Sequence, residues 1–283
     1  MPTFDTPEPI TVMIELGVGS VHIAASDRTD TVVDLHPTNE SDRSDVNAAK
    51  NTRVDYNEGC LVVKVPKQHV LDFTSRTKSV DVSISVPTGS RVQGTAAVAD
   101  LHCTGQLGEC RYKASNGHIH LETAGPVHLD TTAGNIRVDH VAGRADVTSG
   151  TGWVNIGTID GPAVVKTSNG DAEIGTVSDE AVLRAANGSI SVNRALGDRV
   201  EARTANGSVR IGETVRGSVV MRTSSGNLEV GIAEGTAALL DVNTGYGRLN
   251  TLLDSSASGP GDAAETVEVR AQTQFGDITI RRA

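Results

Sequence analysis

Aromatic side chains are nearly missing from this chain, which has three Phe, three Tyr and one Trp in 283 residues. Sugars and unpaired bases are gripped on aromatic platforms, so the composition argues against a carbohydrate groove and against single-strand recognition. Cysteine is equally scarce. Cys60, Cys103 and Cys110 are too few and too scattered for a disulfide framework, and their odd count fits a reducing compartment. An excess of positive charge is also absent. With 25 Lys and Arg against 35 Asp and Glu, the formal charge is −10, which disfavours broad attraction to DNA, RNA or anionic lipid while leaving room for a local basic patch. No run approaches the roughly 20 apolar residues of a membrane span. The opening MPTFDTPEPITVMIEL carries acids and prolines where a secretory leader would carry a basic stretch and an apolar run. The expectation is a soluble, cytoplasmic chain with no cofactor and no nucleic-acid partner.

Glycine, by contrast, is abundant and periodic. Gly117, Gly134, Gly152, Gly170, Gly188, Gly207 and Gly226 follow one another at gaps of 17, 18, 18, 18, 19 and 19 residues. The surrounding words are SNGHIHL, TAGNIRV, GTGWVNI, SNGDAEI, ANGSISV, ANGSVRI and SSGNLEV. Two and four residues after each glycine stand apolar pairs such as Ile136 and Val138, Val154 and Ile156, or Val209 and Ile211, with polar residues between them. That is the period-two alternation of a half-buried strand. The same alternation precedes the corner at Val127 and Leu129, Ala163 and Val165, and Val219 and Met221. Asn-Gly at Asn116, Asn169, Asn187 and Asn206 suits the positive φ of a tight corner. A coil of about 18 residues has a contour near 60 Å, enough for two or three short strands around a narrow core that no single repeat buries alone. Propeller repeats are more than twice as long and sandwiches lack a regular period. The pattern therefore predicts an all-β, single-domain parallel β-solenoid with coils of about 17–19 residues.

One continuous domain, 1–283, is expected, with irregular N-terminal coils over 1–95 and regular repeats over 96–283. Gly19 with Val21 and Ile23, and Gly59 with Leu61 and Val63, look like degenerate coils. Two polar excursions, His36–Asn51 and Lys67–Ser79, interrupt them. Downstream, Gly247 with Leu249, then Gly276 with Ile278 and Ile280, resume the pattern around an insertion over 254–265 whose Gly, Ser and Pro suit a surface loop. Arg281 and Arg282 follow the last strand and place charge at that end. A monomer or small oligomer is thus expected more readily than a filament, with self-association through the solenoid ends as the available route.

Candidate site residues are few. His102 and His120 fall in the same outward column on consecutive coils, with His118 two residues from His120. They are the only metal candidates the spacing offers, and weak ones: solvated surface histidines explain them better, since a closed site needs four ligands. Trp153 is the one large aromatic expected to stand outward in the regular section, either as a partner contact or folded over a neighbouring corner. Cys103 lies in an inward column and Cys110 aligns with Val127, so both read as buried reduced thiols. A Cys103–Cys110 disulfide is the sharper alternative. Asp171 and Glu173 share a strand face without a base, metal or aromatic floor nearby, and no phosphate-cradling or nucleophile-elbow spacing occurs. No catalytic residue is assigned.

The corner words SNG, ANG and SSG, with GSVHI near the start and FGDITI at the end, resemble the bacterial DUF4097 family of "putative adhesins" over nearly the whole chain. The opening FDTPEPITVMIELGVGSVHI looks like its actinobacterial members. The resemblance implies a β-solenoid and transfers no catalytic residue. The function expected is a non-enzymatic scaffold or protein-interaction module, with a protein partner. An adhesin-like surface or polysaccharide-binding protein is the alternative, and a polysaccharide lyase a third.

Overall fold

The computed structural model describes residues 1–65, 78–253 and 265–283, so the segments 66–77 and 254–264, which hold most of the second polar excursion and of the C-terminal insertion, lie outside the described residues. Cα packing divides the chain into two compact units, Met1–His140 and Val141–Ala283.

The first unit contains β1 (Thr3–Asp5), β2 (Thr11–Ser26), β3 (Asp30–Pro37), α1 (Arg43–Lys50), β4 (Arg53–Asn57), β5 (Cys60–Lys64), β6 (Ser79–Pro87), β7 (Arg91–Leu107), β8 (Cys110–Asn116), β9 (Ile119–Ala124), β10 (Val127–Ala133) and β11 (Ile136–Val141, which crosses the division). Strands β2 and β7 are long enough to serve two sheets. They pair in parallel from Thr11 opposite Arg91 to Ala24 opposite Thr104. The first half of β7 then pairs with β8 and the second half with β9, and β8 pairs with β10. On its other side β2 carries β5 along its first half and β6 along its second, again in parallel.

Beyond those two strands the pattern changes. Antiparallel partners cover them, β4 on β5, β3 on β6 and β1 on β3. Gly59 accordingly heads a hairpin and not a degenerate coil: Glu58 (φ 47) and Gly59 (φ 75) form the two-residue left-handed turn that matches strand twist. The first polar excursion is no loop either. It holds α1, so the unit is nearly all-β with one helix. Asp42 caps that helix by accepting from Ser44 N–H at 2.7 Å. The buried Asp45 carboxylate accepts from Asn39 N–H at 3.2 Å and Ser79 N–H at 2.9 Å, tying α1 to β6.

The second unit contains β12 (Ala145–Thr151), β13 (Val154–Ile159), β14 (Ala163–Asn169), β15 (Ala172–Val177), β16 (Ala181–Asn187), β17 (Ile190–Ala195), β18 (Arg199–Arg203), β19 (Val209–Thr214), β20 (Gly217–Ser225), β21 (Leu228–Ile232), β22 (Thr236–Tyr246), β23 (Leu249–Thr251), β24 (Glu265–Phe275) and β25 (Ile278–Arg282). Even-numbered strands β12 to β20 form one parallel sheet and odd-numbered strands β13 to β21 the other, each strand in register with its counterpart one coil on. Each coil therefore has two strands, and the solenoid is a flattened one. Val147, Val165, Leu183, Ala202 and Met221 stack from the first sheet against Ile156, Ile174, Val192, Ile211 and Val230 from the second, all buried.

The corners explain why glycine recurs. At Gly207 φ is 149°, a conformation costly for any residue with a Cβ, and a Cβ there would overlap the Gly188 carbonyl of the preceding coil. Three residues earlier, a threonine hydroxyl donates to a corner carbonyl one coil back: Thr204 to Gly188 at 2.9 Å, Thr223 to Gly207 at 2.9 Å and Thr273 to Gly226 at 3.0 Å. The small or hydroxyl column of the sequence is a clasp between coils.

The last two coils are stacked out of chain order. β24 pairs with β20 and β25 with β21, while β22 and β23 pair with β24 and β25. Residues 265–282 thus fill the penultimate coil, and residues 236–251 form the outermost one. Arg281 donates to Glu229 at 3.0 Å and Arg282 to the Ala233 and Thr236 carbonyls at 2.9 Å, so these arginines fasten an interior coil and do not guard an end. For the same reason the expected inward position of Leu249 is corrected. No coil lies beyond it among the described residues, and it is 50% exposed.

Candidate functional site

Parallel in-register pairing puts like positions of successive coils about 4.8 Å apart, so each outward column of the sequence becomes a physical ladder. His102 and His120 do stand opposite each other on β7 and β9. Their Nδ1 atoms are 3.0 Å apart, one ring donating and the other accepting when both are neutral, with ring centroids at 4.7 Å. The structure adds His22 on β2, opposite His102, with centroids 5.8 Å apart. Sequence spacing missed it because β2 and β7 are separated by the irregular section, and only their pairing makes them neighbours. Burial, then the neighbouring His120 and His22, hold the His102 imidazole below its usual pKa, against a smaller opposing pull from Glu122.

His118 does not join this ladder. It lies in the column just after the corner glycine, and its Nδ1 accepts from Asn135 N–H at 3.1 Å. That column has a common task. Asp100 accepts from His118 N–H at 2.7 Å, Asp171 from Ser189 N–H at 2.7 Å, Ser208 from Asn227 N–H at 3.1 Å and Asn227 from Asp277 N–H at 2.9 Å. Side-chain acceptors at this position take up the first backbone donor of the next coil, which is why the column is small and polar. Among the described residues no group of three or more His, Cys, Asp or Glu is arranged to hold a metal. The pairing of Asp171 with Glu173 on one face has a structural use as well, since Glu173 accepts from Asn155 at 3.1 Å.

Trp153 occupies the same post-glycine column and is 43% exposed. Cys103 and Cys110 are buried free thiols, so no disulfide joins them. Burial pushes the Cys110 thiol up to about 12 and the Cys103 thiol well above its usual range. A shallow depression of about 300 Å³ opens beside the corner of β2 and β6, lined by Ser20, Asp81, Asp100 and Gly117. Its carboxylates already serve the fold, Asp81 accepting from Ser20 at 2.7 Å and Asp100 from His118.

Two features of the second unit were not visible as sites in the sequence. The outermost coil presents a free edge, β22 and β23 being paired on one side only among the described residues. The outermost coil also carries Leu239 and Leu252, each 69% exposed, and Leu249, and its Tyr246 stacks on Phe275 of the next coil at a centroid distance of 5.2 Å. The second feature is a column of cations on the outer face of the even-numbered sheet, Lys166, Arg184, Arg203 and Arg222.

Stacked two-strand coils with glycine corners define a β-solenoid. The profile of the "Toastrack DUF4097" family matches residues 19–281, and the chain belongs to that family. No functionally curated protein matches it. Among solved structures, a "putative adhesin" from Parabacteroides merdae ATCC 43184 is 12% identical, with 100% of this chain and 95% of that one covered at a TM-score of 0.44. A "putative adhesin" from Bacteroides fragilis NCTC 9343 is 15% identical over 99% and 96% of the two chains at 0.37. A "putative lipid binding protein" from Parabacteroides distasonis ATCC 8503 is 12% identical over 100% and 95% at 0.31.

Proposed function

We propose that this DUF4097 member, of the actinobacterial kind, is a non-enzymatic β-solenoid scaffold that engages protein partners in the cytoplasm. The observation that carries the reading is the open edge of β22 and β23. An unpaired strand edge is a template for another strand, and this one bears a single charge, Asp241, among the 11 residues of β22. It also leaves the inward residues Ala238, Leu240 and Val242 only half covered. A second copy of the chain is the first occupant to expect, edge to edge about a two-fold axis. The N-terminal unit offers little for a head-to-tail contact, since its outer strands are the three-residue β1 and the five-residue β4. The free edge runs roughly 36 Å along β22 and about 10 Å along β23. Trp153 is a second contact for a protein partner.

Light scattering on the full chain over a concentration series tests this. A dimer that reverts to monomer in Leu239→Lys and Leu252→Lys, both on exposed side chains, is the expected outcome. A monomer that also retains no partner from native cells overturns the reading, and recovery in the membrane or medium without lysis overturns the cytoplasmic placement. An adhesin-like surface or polysaccharide-binding module is the second reading, favoured by the stacked cations of the even-numbered sheet.

A further inference from the structure

Like charges directly opposite on neighbouring strands destabilise a sheet, and this protein avoids them almost everywhere. On the odd-numbered sheet of the second unit, Arg194 meets Glu213 at 2.9 Å, and Glu229 lies between Arg210 at 3.7 Å and Arg281 at 3.0 Å. In the first unit Lys113 on β8 meets Asp130 on β10 at 2.9 Å. On the even-numbered sheet of the second unit the rule fails. Lys166 on β14 stands opposite Arg184 on β16, Arg184 opposite Arg203 on β18, and Arg203 opposite Arg222 on β20. Four cations occupy four successive coils, about 14 Å end to end at 4.8 Å per coil.

Compensation is partial. Glu201 is the carboxylate beside the column, and it is surrounded by Arg203 at 2.9 Å, Arg199 at 3.2 Å and Arg184 at 3.9 Å. The Arg203 contact is close yet not aligned as a hydrogen bond, leaving its buried Nε–H unsatisfied. Lys166 and Arg222, at the two ends, are exposed and make no ion pair among the described residues. Five cations around one carboxylate leave a local charge of +4 (5 − 1) on a chain whose total is −10. The flanking row on one side is Val164, Val182, Glu201 and Val220, so Glu201, covered by its arginines, is the one charge in it, and Ser168, Ala186 and Ser224 stand on the other side.

We propose that this column is a binding site for a linear anionic polysaccharide carrying one acidic group per sugar, with Lys166, Arg184, Arg203 and Arg222 each meeting one acid in turn. An extended sugar chain advances by about one coil spacing per residue while successive acids turn about its axis, so its acids recur along the cations at multiples of the coil spacing, and the long Lys and Arg side chains reach those turned aside. The absence of aromatic side chains from this face weighs against a nucleic acid, whose bases need stacking, and leaves the acids of the ligand, not its sugar rings, as the groups recognised. Inorganic polyphosphate and duplex strands space their charges more closely than the coils. The inference deepens the second reading above and rests on it for the class of ligand.

Titration calorimetry of the full chain with a short oligogalacturonate spanning four coils tests it, with dextran sulfate, single-stranded DNA, polyphosphate, anionic vesicles and neutral dextran as parallel arms. Saturable binding that weakens with salt is expected. It should weaken about tenfold or more in the double variant Lys166→Gln with Arg222→Gln, which removes two charge-assisted contacts and no ion pair of the fold. Arg194→Gln on the opposite sheet should bind as the wild type does. A preference for oligogalacturonate over dextran sulfate supports the proposal, and stronger binding to dextran sulfate, which carries more than one acid per sugar, overturns the spacing of one acid per sugar. No binding to either, or a double variant that binds as the wild type does, overturns it. Stronger binding to DNA, polyphosphate or vesicles overturns the ligand class. Binding of neutral dextran unaffected by the double variant overturns the column while leaving a polysaccharide-binding function standing.

Discussion

At Gly207 two independent requirements coincide, a φ of 149° and contact with the Gly188 carbonyl of the coil before it. Either alone would tolerate some adjustment; together they leave no room for a Cβ. Gly207→Ala is expected to cost about 2–4 kcal/mol, seen as a lower urea midpoint, whereas Asn206→Ala at the exposed corner removes one Asn–Asn contact at 2.9 Å and should cost less than about 1 kcal/mol. Burial acts at the same scale on the thiols. With Cys110 pushed up to about 12 and Cys103 well raised, both stay protonated across the neutral and mildly alkaline range. Thiol titration of the native protein near pH 8 is expected to find one reactive group, the half-exposed Cys60, and three after denaturation.

Strand registry couples elements far apart in the chain. His22, His102 and His120 come from β2, β7 and β9, and protonating His102 places a charge in a partly desolvated site between two imidazoles. The folded-state pKa is depressed, so the unfolded chain takes up the proton first. The resulting stability is present above about pH 6.5, the unfolded value, and is lost as pH falls through that value toward the folded one. The melting temperature is expected to be flat above about pH 7 and to fall below 6.5, with a shallower fall in His102→Gln. A slope unchanged in that variant would remove His102 as the cause. His102 and His120 were legible as a column because one repeat separates them. His22 was not, since 79 residues, helix α1 among them, intervene between it and His102.

Over the whole second unit, the exchange of order between the last two coils decides which surface is an end. Among the described residues β24 has partners on both edges and β22 on one. Amide exchange is expected to be slow across β24 and β25 and distinctly faster on β22, with β22 protection rising with protein concentration as copies pair. Equal protection at every concentration would contradict a free edge. Chain order suggested Arg281 and Arg282 as the polar guard of the last coil, whereas the fold spends them on Glu229 and on the Ala233 and Thr236 carbonyls.

The architecture was legible in the amino-acid sequence because a solenoid is nearly one-dimensional: a glycine every 17–19 residues and a period-two alternation are local signals, and stacking turns local columns into ladders without further information. His102 and His120, the buried thiols and the inward apolar pairs followed from that rule alone. Tertiary structure decided what lies outside the repeat. The hairpin at Glu58–Gly59 and the helix capped by Asp42 lie outside the repeat pattern, and the placement of residues 265–282 beneath 236–251 is set by the pairing of β24 with β20, which the repeat does not encode. The cationic column was present in the repeat throughout, yet only the structure shows that Arg184, Arg199 and Arg203 gather on Glu201 while Lys166 and Arg222 make no ion pair among the described residues.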